Sequence, residues 1–197
     1  MKKLFFTILL LCPLTIIFSQ NLKMGLYISP TINSINTNDF GQEQRKAGFN
    51  YGYSIEYQIT ENHSLQSGFE VSKKSGQIQT INYKSHYLEI PLKVKMKSRP
   101  FGYLTYFAKT GPSLGIKLRD NAEGSNEISI NDLSDAKTFM LMLNISIGTE
   151  YSLKQESTIY AELFIKNGIT QGWKNTTDYS YETFLMNQFG LSLGFLF

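Results

Sequence analysis

Beyond Asn21 the chain alternates apolar and polar residues with a period of two, the pattern of β-strands whose two faces meet different surroundings. Leu22, Met24, Leu26 and Ile28 alternate with Lys23, Gly25, Tyr27 and Ser29. Phe49 to Ile59, Leu65 to Val71, Leu88 to Met96, Leu104 to Ile116, Phe139 to Ile147 and Ile159 to Ile165 repeat the pattern. A last segment carries Leu185, Phe189, Leu191, Leu193, Phe195 and Phe197 on one face and Gln188, Gly190, Ser192, Gly194 and Leu196 on the other. The count is eight strands, the even number that single-chain bacterial barrels use.

The connections add an order. Segments 60–63, 98–102 and 154–156 are short and turn-like. Segments 31–47, 120–137 and 169–182 are long and polar, and 74–80 is intermediate. Counting the intermediate one as long, short and long connections alternate, as they do in an up-and-down membrane barrel with short periplasmic turns and long outer loops. Both termini then fall on the short-turn side. The predicted fold is all-β, an eight-stranded antiparallel up-and-down transmembrane β-barrel over residues 20–197.

Alternation alone does not say which face points inward, and a soluble barrel would place its apolar residues inside. Three features favour lipid on the apolar side. The polar face is rich in glycine and serine as well as charge, which suits a narrow filled lumen. Tyrosine and phenylalanine cap the apolar face near strand ends, as in a girdle. The apolar stripe of the last strand ends on Phe197. Composition agrees: 18% of residues are charged and 14% aromatic, against about 25% charged in soluble domains.

Residues 1–19 read as an export signal. Lys2 and Lys3 precede a nearly continuous apolar run from Leu4 to Phe18, and Ser19 is a small residue suited to cleavage, after Ser19 or Gln20. The run falls short of the roughly 20 residues of a transmembrane helix. Leu11, before Cys12, does not suit a lipoprotein site. Loss of Lys2 and Lys3 takes the 19 basic residues to 17 against 16 acidic, a balance that argues against nucleic acid as a partner. Cys12 is the single cysteine, so the expected mature chain has no thiol for disulfides, metals or nucleophilic catalysis.

The run Tyr87-Leu88-Glu89-Ile90-Pro91-Leu92 resembles the central motif of the PorT-like outer-membrane β-barrel family of Bacteroidota. Gly111-Pro112-Ser113-Leu114-Gly115 and the signal ending Ser19-Gln20 resemble that family too. The resemblance implies a cell outer-membrane barrel with periplasmic termini. For some members it implies a part in a secretion or gliding assembly, with other envelope proteins as partners. The stripe Phe189, Leu191, Leu193, Phe195, Phe197 resembles the signal read by the barrel assembly machinery, and a free edge there would offer strand addition to a partner.

If the apolar faces meet lipid, Glu56, Glu70, Glu89, Glu150, Glu162, Lys93, Lys95, Lys109 and Lys166 face the lumen. Charges out of water need partners, so they are expected to form an ion-pair network in an interior just wide enough for side chains to fill. A gated proton path through the same residues is the functional rival.

Chemistry elsewhere is sparse. His63 lies in a short turn with Glu61 and Ser64, and His86 is expected at the outer end of a strand beside Ser85, whose side chain must point to the opposite face. No catalytic set follows, and the spacing suits neither a metal site nor a phosphate-binding loop. No cofactor is expected. Trp173, in a long loop, is the candidate contact with lipid or a partner. The expected function is structural or partner-binding within outer-membrane lipids, with a lipid-modifying enzyme as an alternative.

Overall fold

The computed structural model describes residues 21–37, 45–78, 81–123, 139–153, 157–170 and 184–197. The expected signal and Trp173 lie outside them. Eight strands follow in chain order: β1 (Leu22–Thr37), β2 (Lys46–Gln58), β3 (His63–Ile78), β4 in two segments (Ile81–Pro91 and Lys93–Lys97), β5 (Leu104–Glu123), β6 (Phe139–Ser152), β7 (Thr158–Gly168) and β8 (Phe184–Leu196). The interruption of β4 at Leu92 has a local cause. Proline supplies no ladder donor, and Pro91 and Pro112 lie at adjacent positions of β4 and β5, where Pro91 faces Ser113 and the Leu92 amide donates to the Pro112 carbonyl at 2.9 Å.

Every strand pairs antiparallel with its sequence neighbour, and β8 closes on β1 from Gly25 opposite Leu196 to Thr37 opposite Phe184. Beyond that ladder, Met24 and Phe197 exchange both backbone bonds, at 2.9 and 2.7 Å. This corrects one expectation: β8 presents no free edge for strand addition.

The stagger of the closed sheet follows from its register. The paired positions run Leu22, Tyr57, Leu65, Val94, Thr110, Ile145, Ile165, Phe189 and back to β1 at Ile32, ten residues beyond the start. With a rise of about 3.3 Å per residue and about 4.8 Å between strands, this stagger tilts the strands by roughly 40° from the barrel axis. All these positions point outward.

The faces divide as a membrane requires. Outward apolar residues stay open, with Ile147 62% and Leu26 60% exposed, while Glu56, Glu89 and Lys95 are at most 1% exposed inside. A soluble barrel would have these reversed. Exposed rings lie near the short-turn end at Tyr57, Tyr103, Tyr106, Tyr151 and Phe197, and again higher up at Phe49, Tyr51 and Phe139.

The strands are longer than the alternation suggests. Within segment 74–80, residues 74–78 are strand rather than loop, because β3 runs to Ile78, which pairs with Ile81 at the start of β4. Segment 31–47 gives residues 31–37 to β1 and 46–47 to β2, and β5 takes residues 120–123. A strand needs about 9–11 residues to cross a bilayer, whereas β5 has 20 and β3 has 16. The β3–β4–β5 sheet therefore rises beyond the apolar band on the long-loop side. Polar residues such as Ser75, Gln77 and Asn82 continue the strands there by backbone pairing.

Candidate functional site

The period-two alternation sends every second residue of all eight strands into one narrow lumen. All nine expected lumen charges, Glu56, Glu70, Glu89, Glu150, Glu162, Lys93, Lys95, Lys109 and Lys166, are buried there. Lys74 and Lys97 join them. The sequence contained a signal for both: each continues the inward parity of its strand, Lys74 after Glu70 and Ser72, and Lys97 after Lys93 and Lys95. Lys74 went unassigned because its segment read as a connection.

The charges are arranged in tiers. Nearest the short turns, Lys95 Nζ pairs with Glu56 Oε2 at 2.6 Å and with Glu150. Lys97 Nζ reaches Glu56 Oε1 at 2.8 Å and Glu150 Oε2 at 3.5 Å, so two lysines and two glutamates form a closed neutral set. The Ser64 hydroxyl donates to Glu56 at 2.7 Å. Higher up, Lys109 pairs with Glu162 at 2.8 Å, and its ammonium stands 4.6 and 4.7 Å from the ring centres of Phe107 and Tyr160. Such ring faces attract a desolvated cation by about 2 kcal/mol.

The third tier is the most connected. Lys166 Nζ pairs with Glu70 and, at 2.8 Å, with Glu89, whose other oxygen takes Lys74 at 3.0 Å. Glu70 also accepts from the Tyr27 hydroxyl at 2.8 Å and from Asn50 at 3.0 Å. Asn50 and Gln188 extend this net to Ser72, Thr31 and Asn33. Lys93 is buried among these tiers without an ion pair of its own among the described residues.

Two apolar clusters pack between and above the tiers. Tyr27, Phe107, Tyr160 and Leu196 pack together toward the short turns, and Tyr87, Met140, Met142 and Met186 toward the long loops. The alternation places Tyr27, Tyr160 and Phe164 on the polar face of their strands and leaves Phe107 unassigned. Their signal is glycine. Tyr27 stands directly opposite Gly52 and Gly194, Phe107 opposite Gly148, Tyr160 opposite Gly194 and Phe164 opposite Gly190. Each glycine leaves the space its cross-strand ring occupies.

The two sequence runs that suggested a family lie side by side. Glu89 faces Gly115, Ile90 faces Leu114 and Pro91 faces Ser113 across the β4–β5 ladder. Glu89 is thus the member of its run that receives two lysines. The stripe Phe189, Leu191, Leu193, Phe195, Phe197 points outward along β8, each residue at least 39% exposed.

The histidines form no catalytic set among the described residues. His63 Nδ1 lies 3.0 Å from the Thr60 hydroxyl, while Ser64 points inward to Glu56. His86 faces outward and lies inside β4 rather than at its end, because the strand begins at Ile81. No group of three potential metal-binding side chains occurs among the described residues.

Solved structures with this architecture are outer-membrane barrels. Neisserial surface protein A matches with a TM-score of 0.56 at 12% identity, covering 88% of this chain and 95% of its own. AlkL, solved in lipid bilayers, matches at 0.51 and 13% identity over 90% of each chain. The outer membrane enzyme PagL matches at 0.45 and 9% identity over 85% of this chain and 97% of its own, too distant a likeness to bear on activity. Comparison with curated protein sequences gives no match. Residues 18–172 match the model of the outer membrane protein beta-barrel domain, and this chain, with its closed barrel and apolar exterior, belongs to that outer-membrane family.

Proposed function

We propose that the protein is a non-conducting, non-enzymatic outer-membrane scaffold that engages partners from its long-loop end, with both termini in the periplasm. The observation that carries this reading is the tiered ion-pair network. Five glutamates and five of the six lumen lysines neutralise one another by direct contact inside the barrel. A mobile ion would have to compete with contacts already made in a desolvated interior. The alternation of turn and loop lengths supports the orientation, and the raised β3–β4–β5 sheet supports a partner on the loop side. Planar-bilayer recording of purified protein tests the closed lumen: no steady channels are expected. Steady currents that change with Glu89→Gln would overturn it in favour of an ion or proton path.

The pairing of Tyr87–Leu92 with Gly111–Gly115 favours a narrower reading, a PorT-like barrel of Bacteroidota serving as a subunit of a secretion or gliding assembly. Crosslinking in membranes followed by purification is expected to recover a fixed set of envelope proteins. Recovery of the barrel alone would remove that reading. A changed lipid A profile in a deletion strain would replace both with a lipid-modifying enzyme.

A further inference from the structure

A groove of about 730 Å³ opens on the outer surface of the barrel at the short-turn end. Its size lies within the roughly 300–1,000 Å³ of small-molecule sites. It arises because two rows of outward residues become small together. One row runs Met96, Ala108, Ile147, Leu163 and Leu191 across five strands. The next runs Tyr106, Thr149 and Ala161. Ala108, Thr149 and Ala161 form a depression, and Tyr106 and Ile147, 57% and 62% exposed, stand beside it as walls.

The groove has a polar end. Ser98 lines it, beside Lys97, whose ammonium is held inside the barrel by Glu56 and Glu150. The turn there is fixed: the Ser98 hydroxyl accepts from the Tyr106 amide at 3.1 Å and donates to the Arg99 carbonyl at 2.9 Å. Arg99 is exposed and makes no ion pair among the described residues. Phe101 and Tyr103, 79% and 71% exposed in the same turn, mark the membrane–water interface. The apolar groove therefore ends at Ser98, the residue next to the exposed Arg99 in the chain, and guanidinium is suited to phosphate.

We infer that this groove is a binding site for one glycerophospholipid with an anionic headgroup. An acyl chain lies along Ala108, Thr149 and Ala161, and the phosphate sits at Arg99. The choice of a glycerophospholipid rests on the proposed orientation, which puts the short turns in the periplasmic leaflet.

Native mass spectrometry of protein released from vesicles of phosphatidylglycerol and phosphatidylcholine with the same acyl chains tests the site. The wild type is expected to keep one lipid and to prefer phosphatidylglycerol. Ala161→Phe fills the groove from the lipid side and is expected to lower the one-lipid adduct about tenfold, a change of one decade in affinity. Arg99→Gln is expected to keep the adduct and lose the headgroup preference. Heat-modifiable gel mobility reports folding, and Ala108→Leu replaces Ala161→Phe if that variant does not fold. An unchanged adduct in the filled variant overturns the site. An unchanged preference in Arg99→Gln overturns the role of the cation. Stronger retention of lipid A than of phosphatidylglycerol overturns the choice of lipid. Labelling of a Glu61→Cys variant on intact cells tests the orientation separately, and protection from an impermeant reagent is expected.

Discussion

The ring of Tyr160 fills the space that a side chain at position 194 would need. A Cβ on Gly194 would stand 2.4 Å from both Cε1 and Cζ of that ring. The ring lies inside the barrel and Gly194 is its direct cross-strand partner. The lumen is therefore packed by size complementarity as well as by charge. Gly194→Val is expected to cost about 1–3 kcal/mol, the usual range for overpacking. Gly115→Ala, whose Cβ would meet its nearest neighbour at 3.5 Å, is expected to stay within about 0.5 kcal/mol. Urea unfolding of the two variants in lipid vesicles checks the contrast.

Lys166 holds two carboxylates, Glu70 and Glu89, at 3% exposure. Removing one member of a buried pair leaves charge without a partner, at about 3–5 kcal/mol. Lys166→Met is expected to fall in that range. The double variant Lys166→Met with Glu70→Gln is expected to recover part of the loss, because Glu70 is the charge left without a cation while Glu89 keeps Lys74. A double-mutant cycle by urea unfolding reads the coupling.

The direction of the faces makes a further prediction. Ile28 points into lipid near the middle of β1, whereas Tyr57 points outward at the short-turn rim. Arginine on the lipid face of a barrel costs about 2–4 kcal/mol at the midplane and about 0–1 near the interface. Ile28→Arg is expected to show the first cost and Tyr57→Arg the second, by equilibrium folding into vesicles.

Barrel closure depends on backbone as well as side chains. Phe197 exchanges two backbone bonds with Met24. Truncation after Leu196 is expected to lower the fraction that refolds into vesicles, read by heat-modifiable mobility. Phe197→Leu keeps both bonds and is expected to refold as the full chain does.

Much of this molecule was legible in the sequence because its two environments are chemically so different. Leu141, Leu143 and Ile145 alternating with Met140, Met142 and Asn144 reveal both a strand and its faces. The nine lumen charges followed from the same parity. Three things did not follow. Strand ends beyond the membrane have no hydrophobic contrast, so Ser75–Ile78 and Asp120–Glu123 looked like loops. Lys74 was lost with its segment. The packing of the inward aromatics Phe107 and Tyr160 did not follow, because an aromatic on the polar face makes sense only with its partner glycine on the next strand, a relation set by register. The free edge inferred at Phe197 failed for the same reason: whether a last strand is an edge depends on its distant partner, β1.

The ten-residue stagger from Leu22 to Ile32 constrains how such a gene can change. Because the offset is even, a path around the wall returns to the face on which it began. A single-codon insertion inside any strand would make the offset odd, and at one seam lipid-facing and lumen-facing positions would be set opposite each other. Such a mismatch is tolerated only where a bulge takes up the extra residue, as at Leu118, which the ladder skips between Lys117 opposite Tyr87 and Arg119 opposite His86. Length changes that preserve this protein are therefore expected as pairs of residues within strands, as single residues where a bulge can take them up, or as insertions between β1 and β2, β5 and β6, or β7 and β8, where added chain leaves the register untouched.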